Sequence, residues 1–285
     1  MLRTNRLKRA LAEGRDVHGI MASMPTAASI ELIAEAGFDF VVIDTEHVLI
    51  NPETVEHMIR TAESYRLTPL VRVADAAPKT LLRLLDGGAQ GIVLPQVEDP
   101  ATLERAVAAS KYAPEGGRSL NAGRPGAFGK ASLAEYVVKA NREIMVVAMI
   151  ESRRGVENIE AICAVPGLDM VLEGAADLSQ SLGVTWQPEH PEVIQALERV
   201  QRVASEQKVP YCAFLRHSAA RARWQARGVG AFMLGDERGI AFRALQRALG
   251  DAMAPVKSDV MAPVGSEATA PVESDKAPME REGAH

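Results

Sequence analysis

Three apolar runs in this chain stop at a residue fit to move a proton or hold a charge, and a fourth carries an arginine. VVIDTEH contains Asp44 and reaches His47, PLVRV contains Arg72, VVAMIE reaches Glu151, and VLEGAAD reaches Asp177. Glu151 and Asp177 offer two hard carboxylate donors. Such a pair suits Mg2+ or Mn2+ and leaves coordination positions for water and a chelating substrate. In the turn Gly174-Ala175-Ala176-Asp177, small residues let backbone N–H groups approach an anion, at the start of a helix whose dipole favours a carboxylate. The competing reading is two loop acids that cap helices. Arg72 ends an otherwise apolar strand, where a guanidinium requires an anionic partner. It would stabilise an enolate or oxyanion, or else form a structural ion pair. His47 follows Asp44 by three residues, a spacing that lets the carboxylate orient an imidazole acting as general base through a water. A purely structural histidine is the other reading. Together these residues point to metal-assisted chemistry on an oxo acid.

Positioning them takes strands whose ends converge. Eight short runs rich in Val, Ile and Leu are expected to be strands: Val17–Met21, Phe40–Ile43, Pro69–Val73, Gly91–Leu94, Ile144–Ile150, Met170–Leu172, Val209–Phe214 and Gly230–Leu234. Helical patterns separate most of them, with proline at the first helical position in Asn51-Pro52-Glu53 and His190-Pro191-Glu192. Eight strands alternating with helices predict an α/β fold, a (β/α)8 TIM barrel with its site at the strand C-termini. Residues 1–250 make one catalytic domain of ordinary barrel size. Residues 251–285 repeat MAPV and APV among Ser, Glu, Asp and Lys, a composition expected to stay disordered because it cannot offset the entropy of ordering.

Two other segments bear on the site. The glycine-rich stretch Tyr112–Lys130 carries Arg118, Arg124 and Lys130, expected either to bind an anionic substrate or cofactor or to be a solvated loop. LGDERG places Asp236, Glu237 and Arg238 after the eighth strand, at the barrel mouth or as a helix cap.

Composition narrows the class. A net charge of -5 and 4% aromatic residues give neither the basic field nor the stacking surface that nucleic-acid binding needs. The two cysteines, Cys163 and Cys212, lie far apart without a CxxC pattern, which reads as buried free thiols in a reducing compartment. No run has signal-peptide or membrane-spanning character, so a soluble cytoplasmic protein is expected. The serines lack a nucleophile elbow and the glycine pairs lack the P-loop lysine. No lysine ends an expected strand between Gly91 and Leu234, which counts against a Schiff-base aldolase.

At these residues, from Gly19 to about Ala248, the chain resembles the HpcH/HpaI aldolase family. FDFVVIDTEH matches its strand-two motif, LVRV its substrate arginine, and LLDGGAQGIVLPQV the segment that carries a further acid. The resemblance implies that Asp44 and His47 form an acid–histidine dyad, that Asp86 assists it across a subunit boundary, and that Glu151 and Asp177 bind a divalent metal. It also implies a hexamer with an exchanged C-terminal helix. Two positions depart from the aldolases: Met149 stands where they have Gln, and Ala175 where they have Pro. The strings LEGAADLSQSLG, SLNAGRPGAFGK and LGDERGIAFRA are similar to a side branch, the citrate synthases that supply carboxylate-siderophore pathways. That branch implies oxaloacetate and acetyl-CoA as substrates, with the basic loop around Arg118 and Arg124 receiving CoA. Cleavage of 4-hydroxy-2-oxo acids to pyruvate and an aldehyde is the alternative activity, and a non-catalytic carboxylate sensor a remote third.

Overall fold

The computed structural model describes residues 2–130 and 132–254. Eight parallel strands close into a barrel in sequence order: β1 Val17–Ala22, β2 Phe40–Asp44, β3 Thr68–Arg72, β4 Gly91–Leu94, β5 Met145–Ile150, β6 Met170–Glu173, β7 Tyr211–Phe214 and β8 Ala231–Asp236. The helices are α1 Arg6–Ala12, α2 Ala27–Glu35, α3 Pro52–Ser64, α4 Pro78–Gly87, α5 Pro100–Ser110, α6 Leu133–Glu143, α7 Arg153–Glu157, α8 Ile159–Cys163, α9 Ala175–Ser181, α10 Pro191–Glu206, α11 Ser218–Gln225 and α12 Glu237–Met253. All eight expected strands are present. β5 starts at Met145 because the Ile144 N–H still bonds Ala140 in the preceding helix, and β7 starts at Tyr211 because the Val209 N–H bonds Ala204.

Strands β2 to β6 are buried on both faces, and β1, β7 and β8 nearly so, which is why they read as apolar runs. Side chains alternate across the sheet. Val41, Ile43, Val71 and Ile92 pack outward under the helices. Phe40, Val42, Leu70, Val147, Met170 and Met233 fill the interior, which Leu7 and Ala10 of α1 join from below. Gly19 is required in that interior, since a Cβ there would lie 2.2 Å from the Phe40 ring. The helices bury one stripe each; in α3 it is Val55, Met58, Ile59 and Ala62, the first three each contributing about 1.5–3 kcal/mol. The expected helix starts hold: Asn51 accepts from the Glu53 N–H at 2.8 Å, and His190 accepts from the Glu192 N–H at 3.3 Å. Cys163 and Cys212 are free and buried. Among the described residues no helix is long and apolar enough to cross a membrane.

A compact unit runs to Leu245, and helix α12 continues past Gly250 to Met253. The tail expected to be disordered lies, from residue 255, outside the described residues.

Candidate active site

Inward-facing positions continue past the apolar core at the C-terminal strand ends, and there they turn polar. Counting inward by twos gives Asp44 after Phe40 and Val42, Arg72 after Leu70, and Glu151 after Val147 and Met149. Asp44 and Arg72 line a cavity of about 490 Å³, with His47, Met149, Gly174, Ala176 and Asp177, and Glu151 lies directly behind Gly174. A larger groove of about 660 Å³ runs between α3 and α4 on the outside of the barrel and contains none of the strand-end carboxylate pair.

Asp44 and Arg72 are direct partners in the β2–β3 register. Their buried side chains join in a two-pronged ion pair, Nε to Oδ1 at 3.0 Å and Nη2 to Oδ2 at 2.8 Å. Burial pushes the Asp44 carboxyl up, but the hydrogen bonds and charge of Arg72 outweigh it and hold the group below its ordinary range. This corrects the expectation that Asp44 orients the imidazole. Its oxygen accepts from the backbone N–H groups of Glu46 and His47, at 3.1 and 3.3 Å, and its remaining capacity goes to Arg72. The acid near the imidazole is Glu46, whose Oε2 lies 3.7 Å from His47 Nε2 and 3.2 Å from Arg72 Nη1. That oxygen is buried, and no approaching N–H is aligned to hydrogen-bond it. The His47 ring itself is 61% exposed at the cavity mouth.

Glu151 follows β5 and is buried, with Oε1 accepting from the Gln96 backbone N–H at 2.7 Å. Burial raises its carboxyl most, the neighbouring charges of Asp177 and Glu46 add to that, and the group is pushed up to about 7. Gly174 makes room for it, since a Cβ there would lie 2.4 Å from Glu151 Oε2. Asp177 stands in the first turn of α9. Two hard oxygen donors whose charges act on each other, beside a glycine that leaves space, fit a divalent metal held by two protein ligands. Among the described residues no group of three or more His, Cys, Asp or Glu has metal-holding geometry, so water or substrate oxygens would complete the shell.

Two expected anion-binding residues lie elsewhere. Arg124 bonds the Glu63 carboxylate and the Gly87 carbonyl at the C-terminal ends of α3 and α4. In a barrel those helix ends face away from the strand C-termini, so Arg124 is not a substrate ligand in this cavity. Arg118 is buried over the Tyr112 ring and donates to Asp86 at 2.6 Å. The basic loop therefore does not reach the cavity of its own chain. Asp86, which also accepts from Asn121 at 3.1 Å, borders the outer groove and not the cavity.

Sequence reasoning missed Glu46, Glu173 and Arg216. Arg216 lines the cavity two residues beyond inward-facing Phe214, so the same alternation that selects Arg72 and Glu151 signals it. Asp236 and Arg238 also line the cavity, while Asp236 caps α12 through the Gly239 N–H at 2.7 Å. Glu237 instead ties the β1 loop, accepting from the Ser23 and Met24 N–H groups at 2.6–2.8 Å.

The HpcH/HpaI aldolase/citrate lyase family matches residues 19–235, spanning the barrel from β1 to β8. The chain belongs to that family. It is 37% identical over 198 residues to a pyruvate aldolase of Rhizobium etli, covering 69% of this chain and 77% of the relative. It is 32% identical to a 5-keto-4-deoxy-D-glucarate aldolase of Escherichia coli, covering 87% and 96%. The solved structure of citrate synthase SbnG superposes with a TM-score of 0.82 at 44% identity, covering 87% of this chain and 98% of that one. Aldolases among the sequence relatives and a citrate synthase among the solved structures make this HpcH/HpaI barrel an enzyme of the aldolase superfamily. Class II aldolases of the family are generally divalent-metal dependent.

Proposed function

We propose that this cavity joins oxaloacetate to acetyl-CoA, making citrate. The observation that carries the reading is its mixed lining. Arg72, Asp177 and the adjoining Glu151 bring charge to it, whereas Met21, Met149 and Phe214 supply apolar surface. A 2-oxo acid suits the first and the methyl thioester of acetyl-CoA the second. Met149, whose sulfur lies 4.0 Å from Arg72 Nη1, occupies the position where the aldolases resembled by the sequence have Gln. The 44% identity to citrate synthase SbnG supports the same choice.

Glu151 and Asp177 would hold Mg2+ or Mn2+, which when bound polarises the 2-oxo carbonyl. His47, or a water it activates, takes a proton from the acetyl methyl, with Glu46 nearby to balance the charge the ring acquires. The electron pair left on that carbon forms the new bond to the ketone carbon of oxaloacetate. The carbonyl pair becomes an alkoxide facing Arg72, where a fixed guanidinium in a water-poor site is most effective. The alkoxide then gains a proton, and water cleaves the thioester to release CoA.

By the same resemblance the protein works in the cytoplasm, supplying a siderophore pathway, as a homohexamer in which Asp86 reaches a neighbouring site. The exposed Ile240, Phe242 and Leu245 of α12 support assembly. Aldol cleavage of 4-hydroxy-2-oxo acids is the second reading, favoured by the aldolase names of the relatives. Supplying purified protein with each substrate set and Mg2+ or Mn2+ separates the two. Metal-dependent CoA thiol release with citrate is expected. Pyruvate formation from 4-hydroxy-2-oxo acids, with acetyl-CoA untouched, would reverse the order.

A further inference from the structure

Strands β3 and β7 lie four apart in a closed barrel of eight, so their C-terminal ends stand on opposite walls of the cavity. Arg72 ends β3. Arg216 follows β7 by two residues and lines the cavity from the far side. Its Nη1 donates to Glu173 Oε1 at 2.9 Å, and its guanidinium stands 5.7 Å from the Phe214 ring centroid. Glu173 is completely buried, with its other oxygen accepting from the Tyr211 hydroxyl at 2.7 Å. Glu173 shares the outward parity of Val171, so it lies behind the barrel wall, where Tyr211 packs on Trp224. Substrate cannot reach it there.

The pair encloses the carboxylate and leaves 27% of the arginine side chain exposed, with no protein acceptor on its remaining N–H groups among the described residues. Arg238 also lines the cavity, but it is 62% exposed and has only Asp236 at 4.0 Å to hold it. Arg216 is the braced cation and Arg238 the loose one.

We propose that Arg216 anchors the second carboxylate of a dicarboxylic 2-oxo acid, and that Glu173 with Tyr211 is the buried brace that aims it. The first carboxylate and the oxo group then face Arg72 on the opposite wall, with Glu151 and Asp177 between the two arginines. Arg216 thereby sets the preference for a two-ended acid such as oxaloacetate over pyruvate, which has nothing to offer it. This rests only on the 2-oxo acid half of the proposed function, and not on the thioester chemistry.

The test is calorimetric titration of the full-length protein with oxaloacetate and with pyruvate, in Mg2+ and without acetyl-CoA. Wild type is expected to bind oxaloacetate more tightly. Arg216→Leu should weaken oxaloacetate about 10- to 100-fold, as loss of a charge-assisted pair implies, while pyruvate stays within about twofold. Arg216→Lys should recover part of the loss. Glu173→Gln should reduce the same selectivity without altering pyruvate binding, which a merely structural role would not do. Equal weakening of both acids by Arg216→Leu, or no change in either, would overturn the proposal, as would a wild type that does not bind oxaloacetate. Selective binding without citrate formation would leave it standing and remove the citrate reading instead.

Discussion

Glu151 carries the largest electrostatic strain in the cavity, because burial and the Asp177 charge both disfavour its ionised form. In chelator-treated protein that strain has a definite sign. Folding raises the carboxyl from 4.5 to about 7, so the native state holds a proton that the unfolded chain releases between those values. Stability is then full below pH 4.5 and falls as pH rises toward 7, by on the order of 3 kcal/mol, and levels off above it. Glu151→Gln should abolish that decline while eliminating metal-dependent turnover. Urea unfolding at pH 5 and pH 8 measures it, and an identical slope in wild type and variant would show that Glu151 is not the strained group.

The elements do their work through register and spacing. Pairing Asp44 against Arg72 across β2 and β3 fixes the guanidinium before any ligand arrives, and the start of α9 brings Asp177 toward Glu151. Gly174 is the hinge of that approach. A methyl at this position collides with the Glu151 carboxylate, so Gly174→Ala should fold normally yet bind Mn2+ at least tenfold more weakly, an effect read by titration; unchanged affinity would contradict the cradle. The barrel was legible in the sequence because its strands are short apolar runs, several of them leading to a polar inward position, as in VVID, LVR and MIE. Arg216 has the same inward parity, but its signal is weaker because its strand ends in Phe214 and the arginine follows two residues later. The partners of Asp44 and Arg124 were not legible. They depend on strand register and on contacts between α3, α4 and a distant loop, which no local pattern encodes.

At the scale of the whole molecule, α12 exposes Phe242 and Leu245 to solvent, more apolar surface than a lone helix face normally leaves uncovered. If the proposed hexamer forms, introducing Phe242→Glu with Leu245→Glu should convert it into smaller species by analytical ultracentrifugation. A wild type that sediments as a monomer would remove the assembly from the account. The central claim is that this barrel makes a carbon–carbon bond from an acetyl methyl, and isotope transfer tests it most directly. With acetyl-CoA carrying three deuterons on its methyl group, oxaloacetate and Mg2+ or Mn2+, mass spectrometry should find citrate retaining two of them, with the product lost when a chelator is added. Unlabelled or absent citrate, from protein that still releases pyruvate from 4-hydroxy-2-oxo acids, would contradict it.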